Sequence, residues 1–139
     1  MKTFSILFAF ILIAPSLAVA AVSVSNQVGQ VTPERLTLVW TLDLAPGWHL
    51  YGPHRNDTGL PPQVEFPDLP DGWRADPLEG WPTPHRHVVA DLILDHVYEE
   101  RLVLSQTIPP PRGAAATAIT AHVSWLVCGE ICVPGDTTL

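Results

Sequence analysis

Fifteen prolines punctuate this chain, and the segments between them carry apolar residues at every second position. Proline lacks an N–H and clashes inside a helix, so short extended pieces joined by turns suit this chain best. Leu36, Leu38, Trp40, Leu42 and Leu44 alternate with Thr37, Val39, Thr41 and Asp43, the period-2 pattern of a strand with one buried face. The pattern returns in residues 101–108 through Leu102, Leu104 and Ile108. It returns again in residues 118–127 through Ile119, Ala121, Val123, Trp125 and Val127. Val22, Val24 and Val28 mark a weaker early strand, and residues 48–51 form a short one behind the Pro46-Gly47 turn. No segment carries an apolar stripe at helical spacing. The expected fold is an all-β sandwich or barrel.

Residues 53–84 are rich in proline and hold the turn-forming pairs Asp71-Gly72 and Glu79-Gly80. Phe66, Leu69, Trp73 and Trp81 recur through them, too much apolar surface for a disordered tether. This stretch therefore reads as long loops with short strands inside one domain. Pro109-Pro110-Pro111-Arg112-Gly113 reads as an exposed connection between the last two long strands. Another strand begins at Asp136-Thr137-Thr138-Leu139, where the chain ends, which reads as a domain truncated at its C-terminal end.

Residues 1–20 read as a signal peptide. Lys2 supplies the positive start, an apolar run follows, and Ala18-Val19-Ala20 has the small-x-small pattern of a cleavage site. The run is broken at Pro15 and is shorter than the roughly 20 residues of a spanning helix. The expectation is an exported, periplasmic protein with one domain over residues 21–139. The whole chain carries a formal charge of −7, and Lys2 is its one lysine. Arg35, Arg55, Arg74, Arg86, Arg101 and Arg112 stand singly. A polyanion needs a concentrated basic face, so nucleic acid is excluded as a partner.

The chemistry concentrates in Cys128-Gly129-Glu130-Ile131-Cys132. A strand runs into Cys128, three residues reverse the chain, and Cys132 begins the return, so the two sulfurs can face each other within disulfide reach. Pro134 cannot donate to a ladder, which makes the returning strand an edge or an irregular one. Strand parity turns Cys128 away from the face that carries Val123 and Val127, leaving its sulfur accessible, as exchange with another protein requires.

Three readings compete for this pair. In an exported chain two cysteines are by default a structural disulfide. A loop of about five residues would stabilise by only about 2 kcal/mol, against about 4.7 for a 100-residue loop, so the spacing favours reversible chemistry. A soft metal such as Cu(I) is the third reading, with His49, His54, His85, His87, His96 and His122 as further donors. The one methionine, Met1, leaves with the signal peptide and adds nothing to such a site. Glu130 between the sulfurs disfavours a thiolate, so a free thiol that reacts mainly with docked partners is expected.

The segment Val123-Ser124-Trp125-Leu126-Val127-Cys128-Gly129-Glu130-Ile131-Cys132-Val133-Pro134-Gly135 resembles the cysteine segment of the amino-terminal periplasmic domain of the thiol:disulfide interchange protein DsbD. It is more similar still to that of the copper-sensitivity-suppressor reductases. Pro46-Gly47-Trp48-His49-Leu50-Tyr51 and Asn56-Asp57-Thr58-Gly59-Leu60-Pro61 resemble two further elements of this family, in the same order. Residues 95–104 resemble the strand that precedes the family's long loop.

The resemblance implies an immunoglobulin-like β-sandwich with an inserted cap region, and a protein-disulfide reductase module with no cofactor beyond its own sulfurs. It implies electrons arriving from a membrane-embedded donor domain, on another chain or in a missing C-terminal part, and leaving to thioredoxin-fold periplasmic proteins. Cys128 and Cys132 match the family's redox pair, with Cys132 forming the mixed disulfide. Trp48, Tyr51, Asp57 and Glu130 become candidates for the docking surface. The plainer alternative is that Trp48 fills the core and Asp57-Thr58-Gly59 makes a turn. The family's aromatic cap over the disulfide has no counterpart here, because residues 90–94 are mainly aliphatic.

Overall fold

Alternating apolar residues can be buried only if two sheets turn those faces toward each other, and this is the arrangement adopted. The computed structural model describes residues 20–139; the signal peptide read in residues 1–20 therefore lies, but for Ala20, outside the described residues. The strands are β1 (Val22–Thr32), β2 (Arg35–Leu44), β3 (His49–Tyr51), β4 (Gln63–Glu65), β5 (His85–Val89), β6 (Ile93–Glu99), β7 (Arg101–Ile108), β8 (His122–Cys128) and β9 (Cys132–Thr138). There is no helix among the described residues. One sheet has the order β1-β2-β7. In the other, β5, β6 and β3 lead to one edge of β8, which β3 shares with β4, while β9 covers the opposite edge of β8. Every pairing is antiparallel.

The core lies between the sheets. Trp40 and Leu42 of β2 and Leu102, Leu104 and Ile108 of β7 meet Leu50, Tyr98, Val123 and Val127 of the larger sheet. Full burial of an aliphatic or phenylalanine-sized side chain stabilises by about 1.5–3 kcal/mol relative to exposure, so these positions dominate the fold. Gln106 has the same parity as Leu104 and is buried with it. Its amide is satisfied at both ends: Trp40 Nε1 donates to its Oε1 at 3.1 Å, and its Nε2 donates to the Asp76 carbonyl at 2.9 Å. A buried amide without those partners would cost roughly 1–3 kcal/mol. The same bonds tie the proline-rich middle to the sandwich, helped by backbone bonds between Asp76 and Thr107 and in both directions between Glu79 and Ser105.

Four details differ from the sequence reading. The strand read as beginning at Asp136 is the end of β9, which starts at Cys132 and stays paired with β8 as far as Thr138. β1 continues to Thr32, past the expected valines, because it pairs along all of β2; its exposed side chains hide that partnership from a hydrophobic count. Residues 95–104 do not form one strand. Glu100 takes a positive φ of 62° and separates β6 in one sheet from β7 in the other. Regular strand structure in β8 begins at His122, with residues 118–121 leading into it. Ala121 nevertheless exchanges two backbone hydrogen bonds with Leu139, at 2.9 Å each, so β9 is paired along the whole of β8.

Candidate functional site

Tyr51, Val97 and Cys128 are buried together on the outer face of the larger sheet, with Leu126 packed against them. Register explains the grouping. Leu50 stands opposite Val127 and Tyr98 and points into the main core. The next residue, Tyr51, therefore points outward, as do its neighbours in the ladder, Val97 and Cys128. A period of two gives one strand two environments.

Cys128 and Cys132 are a directly opposed pair at the end of the β8–β9 hairpin and are joined as a disulfide. Their Cα atoms are 4.0 Å apart, slightly closer than the usual span. The turn between them is closed by a hydrogen bond from Gly129 N–H to the Ile131 carbonyl at 2.9 Å. A Cβ at position 129 would lie 3.0 Å from the Gly47 carbonyl oxygen, so glycine lets the cysteine turn sit against the Pro46-Gly47 turn. As expected from Pro134, β9 is an edge strand.

The two sulfurs are not equivalent. Cys128 does leave the main core, as parity requires, but only 2% of it is exposed. The expectation of an accessible Cys128 is corrected: the outer face is itself covered by Tyr51, Val97 and Leu126. Cys132, one step past the turn on an edge strand, is exposed. Cys132 is thus the exposed member of the pair and Cys128 the buried one.

Tyr51 reaches this sulfur. Its hydroxyl lies 4.0 Å from Cys132 Sγ, a contact distance for sulfur, and 3.2 Å from Thr58 Oγ1. Thr58 Oγ1 in turn donates to Asp95 Oδ2 at 2.6 Å, while the Thr58 and Asp57 N–H groups donate to Asp95 Oδ1 at 3.0 and 2.8 Å. Asp95 is 2% exposed. Burial pushes its carboxyl up, but these hydrogen bonds, helped by His87, more than reverse that and hold it below the usual value of 3.8. Gly59 lies flat on the Tyr51 ring, where any side chain would collide with it.

The remaining sequence candidates fall around this centre. Trp48 packs against the main core while its ring lies beside Gly129, so it supports the cysteine turn from within. The Asp57 side chain accepts from Leu94 N–H at 2.8 Å, securing the loop to β6. Glu130 is exposed in the turn and lines a cleft of about 590 Å³ with Trp48, His49, His87, Glu99 and Glu100. Burial, and then the neighbouring His87, hold His49 below the ordinary imidazole value of 6.5 against the opposing influence of Glu99 and Asp95. His49 stands opposite Cys128 in the ladder, a proximity that no sequence spacing announced. Among the described residues, no three His, Cys, Asp or Glu side chains are placed to hold a metal ion together.

Sequence reasoning missed Asp95 and took Thr58 only as a turn residue. The available signal was an acid at a position whose parity matches Val97, but nothing local says what such an acid binds.

The family described as the N-terminal region of the thiol:disulfide interchange protein DsbD matches residues 15–139. The chain belongs to this family. It is a thiol–disulfide exchange domain by family, and its paired cysteines are the disulfide just described. Among solved structures it is similar to the N-terminal periplasmic domain of ScsB from Proteus mirabilis, with 18% identity and a TM-score of 0.68. That match covers 92% of this chain and 48% of the other, so this chain spans about half the length of that one. The DsbD N-terminal domain of Neisseria meningitidis, in the reduced form, matches with 14% identity and a TM-score of 0.50, over 86% of this chain and 82% of that one. At such identities the likeness concerns the fold, an immunoglobulin-like sandwich with inserted loops. No curated protein matches the chain. Among the described residues no helix is long and apolar enough to cross a membrane.

Proposed function

We propose that this domain works in the periplasm, exported by the signal peptide of residues 1–20, and passes electrons through Cys128 and Cys132 to thioredoxin-fold proteins. Reduction comes from a membrane-embedded donor domain. In the reduced state the Cys132 thiolate attacks the partner's disulfide and releases one partner sulfur as a thiolate, forming a mixed disulfide. Cys128 then attacks Cys132 within that bond, and the second partner sulfur leaves. The partner gains two electrons, and the Cys128–Cys132 disulfide is restored.

The observation that carries this reading is the asymmetry of the pair, with Cys132 exposed on an edge strand and Cys128 buried behind it. An attacking thiol needs access, whereas a resolving thiol needs only its neighbour. The exposed Glu130 and Ile131 of the turn, with Trp48 behind it, supply the docking surface.

Trapping tests the roles. A Cys128→Ala domain offered an oxidised thioredoxin-fold protein should accumulate a mixed disulfide on non-reducing gels, whereas Cys132→Ala should accumulate little. Equal trapping by both variants would remove the assignment. The copper reading uses the same two sulfurs in their reduced state, with His49 as the nearest imidazole in register. Titration of the reduced domain with Cu(I) separates the two readings: tight one-to-one binding without exchange would replace the relay.

A further inference from the structure

We propose that Asp95, acting through Thr58, sets the direction of the Tyr51 hydroxyl so that its oxygen accepts from Cys132 and holds the reduced sulfur as a thiol. Asp95 and Thr58 are then positioning residues, and Tyr51 is the group that touches the reacting atom. The proposal rests on Cys132 being the reacting sulfur.

The argument is a proton count along one chain of contacts. An ionised carboxylate has no proton to give, and the hydrogen bonds around Asp95 keep it ionised. Thr58 has a single hydroxyl proton, and at 2.6 Å from Asp95 Oδ2 that proton is committed. Thr58 Oγ1 can therefore only accept from Tyr51 at 3.2 Å. The phenol's one proton is thereby used, and the side of the oxygen facing Cys132 at 4.0 Å carries lone pairs. A thiol can donate to such an oxygen, but a thiolate meets it unfavourably. Two backbone N–H groups on Asp95 Oδ1, and glycine in place of a side chain at 59, hold the loop that makes this possible.

Reduction by a dithiol donor moves two electrons and two protons to the pair and leaves the donor as a disulfide. Cys132 is then an exposed thiol in a compartment that contains oxidants. Turning the Tyr51 proton away from it slows indiscriminate reaction. A docked partner that disturbs the loop of residues 56–59 would release the phenol to donate to the sulfur and favour the thiolate. His85 of β5 stands opposite Val97 on this face and makes no hydrogen bond to Asp95, Thr58 or Tyr51. The other titratable groups here are His49 from β3, His87 from β5, Glu99 from β6 and Glu130 in the turn. They lie in the cleft beside Trp48, and none belongs to the hydrogen-bonded chain from Asp95 to Tyr51.

The test uses the Cys128→Ala domain, in which Cys132 is the one remaining thiol. Its rate of alkylation by iodoacetamide is followed from pH 6 to 11, and folding of each variant is checked by urea denaturation. Thr58→Val and Asp95→Asn should each lower the apparent pKa of Cys132 by about one unit, the size of one exchanged hydrogen bond. The readout is about tenfold faster alkylation at neutral pH. Thr58→Ser, which keeps the hydroxyl, should follow the parent. An unchanged profile for Thr58→Val, or a Thr58→Ser profile shifted as far, would overturn the proposal. If Asp95→Asn fails to fold, the two Thr58 variants still decide. Alkylation needs no protein partner, so a domain that exchanges with none would defeat the relay and leave this measurement intact.

Discussion

On the inner face of the larger sheet, Leu50, Tyr98, Val123 and Val127 join the main core. On its outer face, one residue away along the same strands, Tyr51, Val97 and Cys128 form a separate small cluster beside a buried carboxylate. The inner face is packed against a whole second sheet. The outer face is covered by one loop, held by hydrogen bonds to Asp95 and Asp57. Packing over a large apolar area is stable and indifferent to direction. Hydrogen bonding by a short loop is weaker, but it aims individual atoms. Apolar packing is thus concentrated on one side of the strands, and the disulfide lies on the side secured by one short hydrogen-bonded loop.

The strongest way to break this contrast is to cut a cavity on the inner side. Leu50→Ala should destabilise the domain by about 2–5 kcal/mol, measured by urea denaturation. While the variant remains folded, its disulfide should equilibrate with a redox buffer much as the parent's does. A loss below 1 kcal/mol would mean that the sandwich core is not where stability resides.

The next effect is smaller and concerns the outer side. Replacing both cysteines with alanine should cost at most about 2 kcal/mol, because the closed loop is so short. The variant should remain folded by circular dichroism. Unfolding of this variant at room temperature would show that the disulfide staples the domain.

The smallest effect is on pH dependence, and it sharpens the contrast because its titrating groups lie on the outer side. His49 is held below its ordinary value of 6.5, so the unfolded chain binds its proton first. That contribution to stability is fully present above 6.5 and is lost as pH falls through the lowered value. Asp95 is likewise held below 3.8 and adds a second loss in stronger acid. The urea midpoint should therefore fall on acidification below about pH 6.5 and fall again below about pH 4. In His49→Gln the first step should be absent, and its persistence there would assign it elsewhere.

Much of the sandwich was legible because burial on one face of a strand writes itself as alternation. β2 and β7 show it residue by residue, with Leu38, Trp40 and Leu42 opposite Gln106, Leu104 and Leu102. β1 was less legible, since an exposed edge strand needs few apolar residues to pair through its backbone. The β5–β6 hairpin went unseen for a related reason. All of β5 is exposed, and its turn is made by Ala90 and Asp91 at positive φ, without a glycine to mark it.

Within the site, the sequence alone placed the two cysteines across from each other, because a short three-residue reversal between two strands brings positions 128 and 132 together; that they are bonded is seen in the structure. The sequence also determined that Cys128 leaves the main core, since parity along β8 is local. Which sulfur meets solvent was decided only by tertiary structure. Burial of Cys128 depends on Tyr51 and Val97, brought from distant strands by ladder register. The line from Asp95 through Thr58 and Tyr51 to Cys132 joins residues up to 81 positions apart. A hydrogen bond requires two groups at a set distance and angle, and a linear pattern of residue types carries neither.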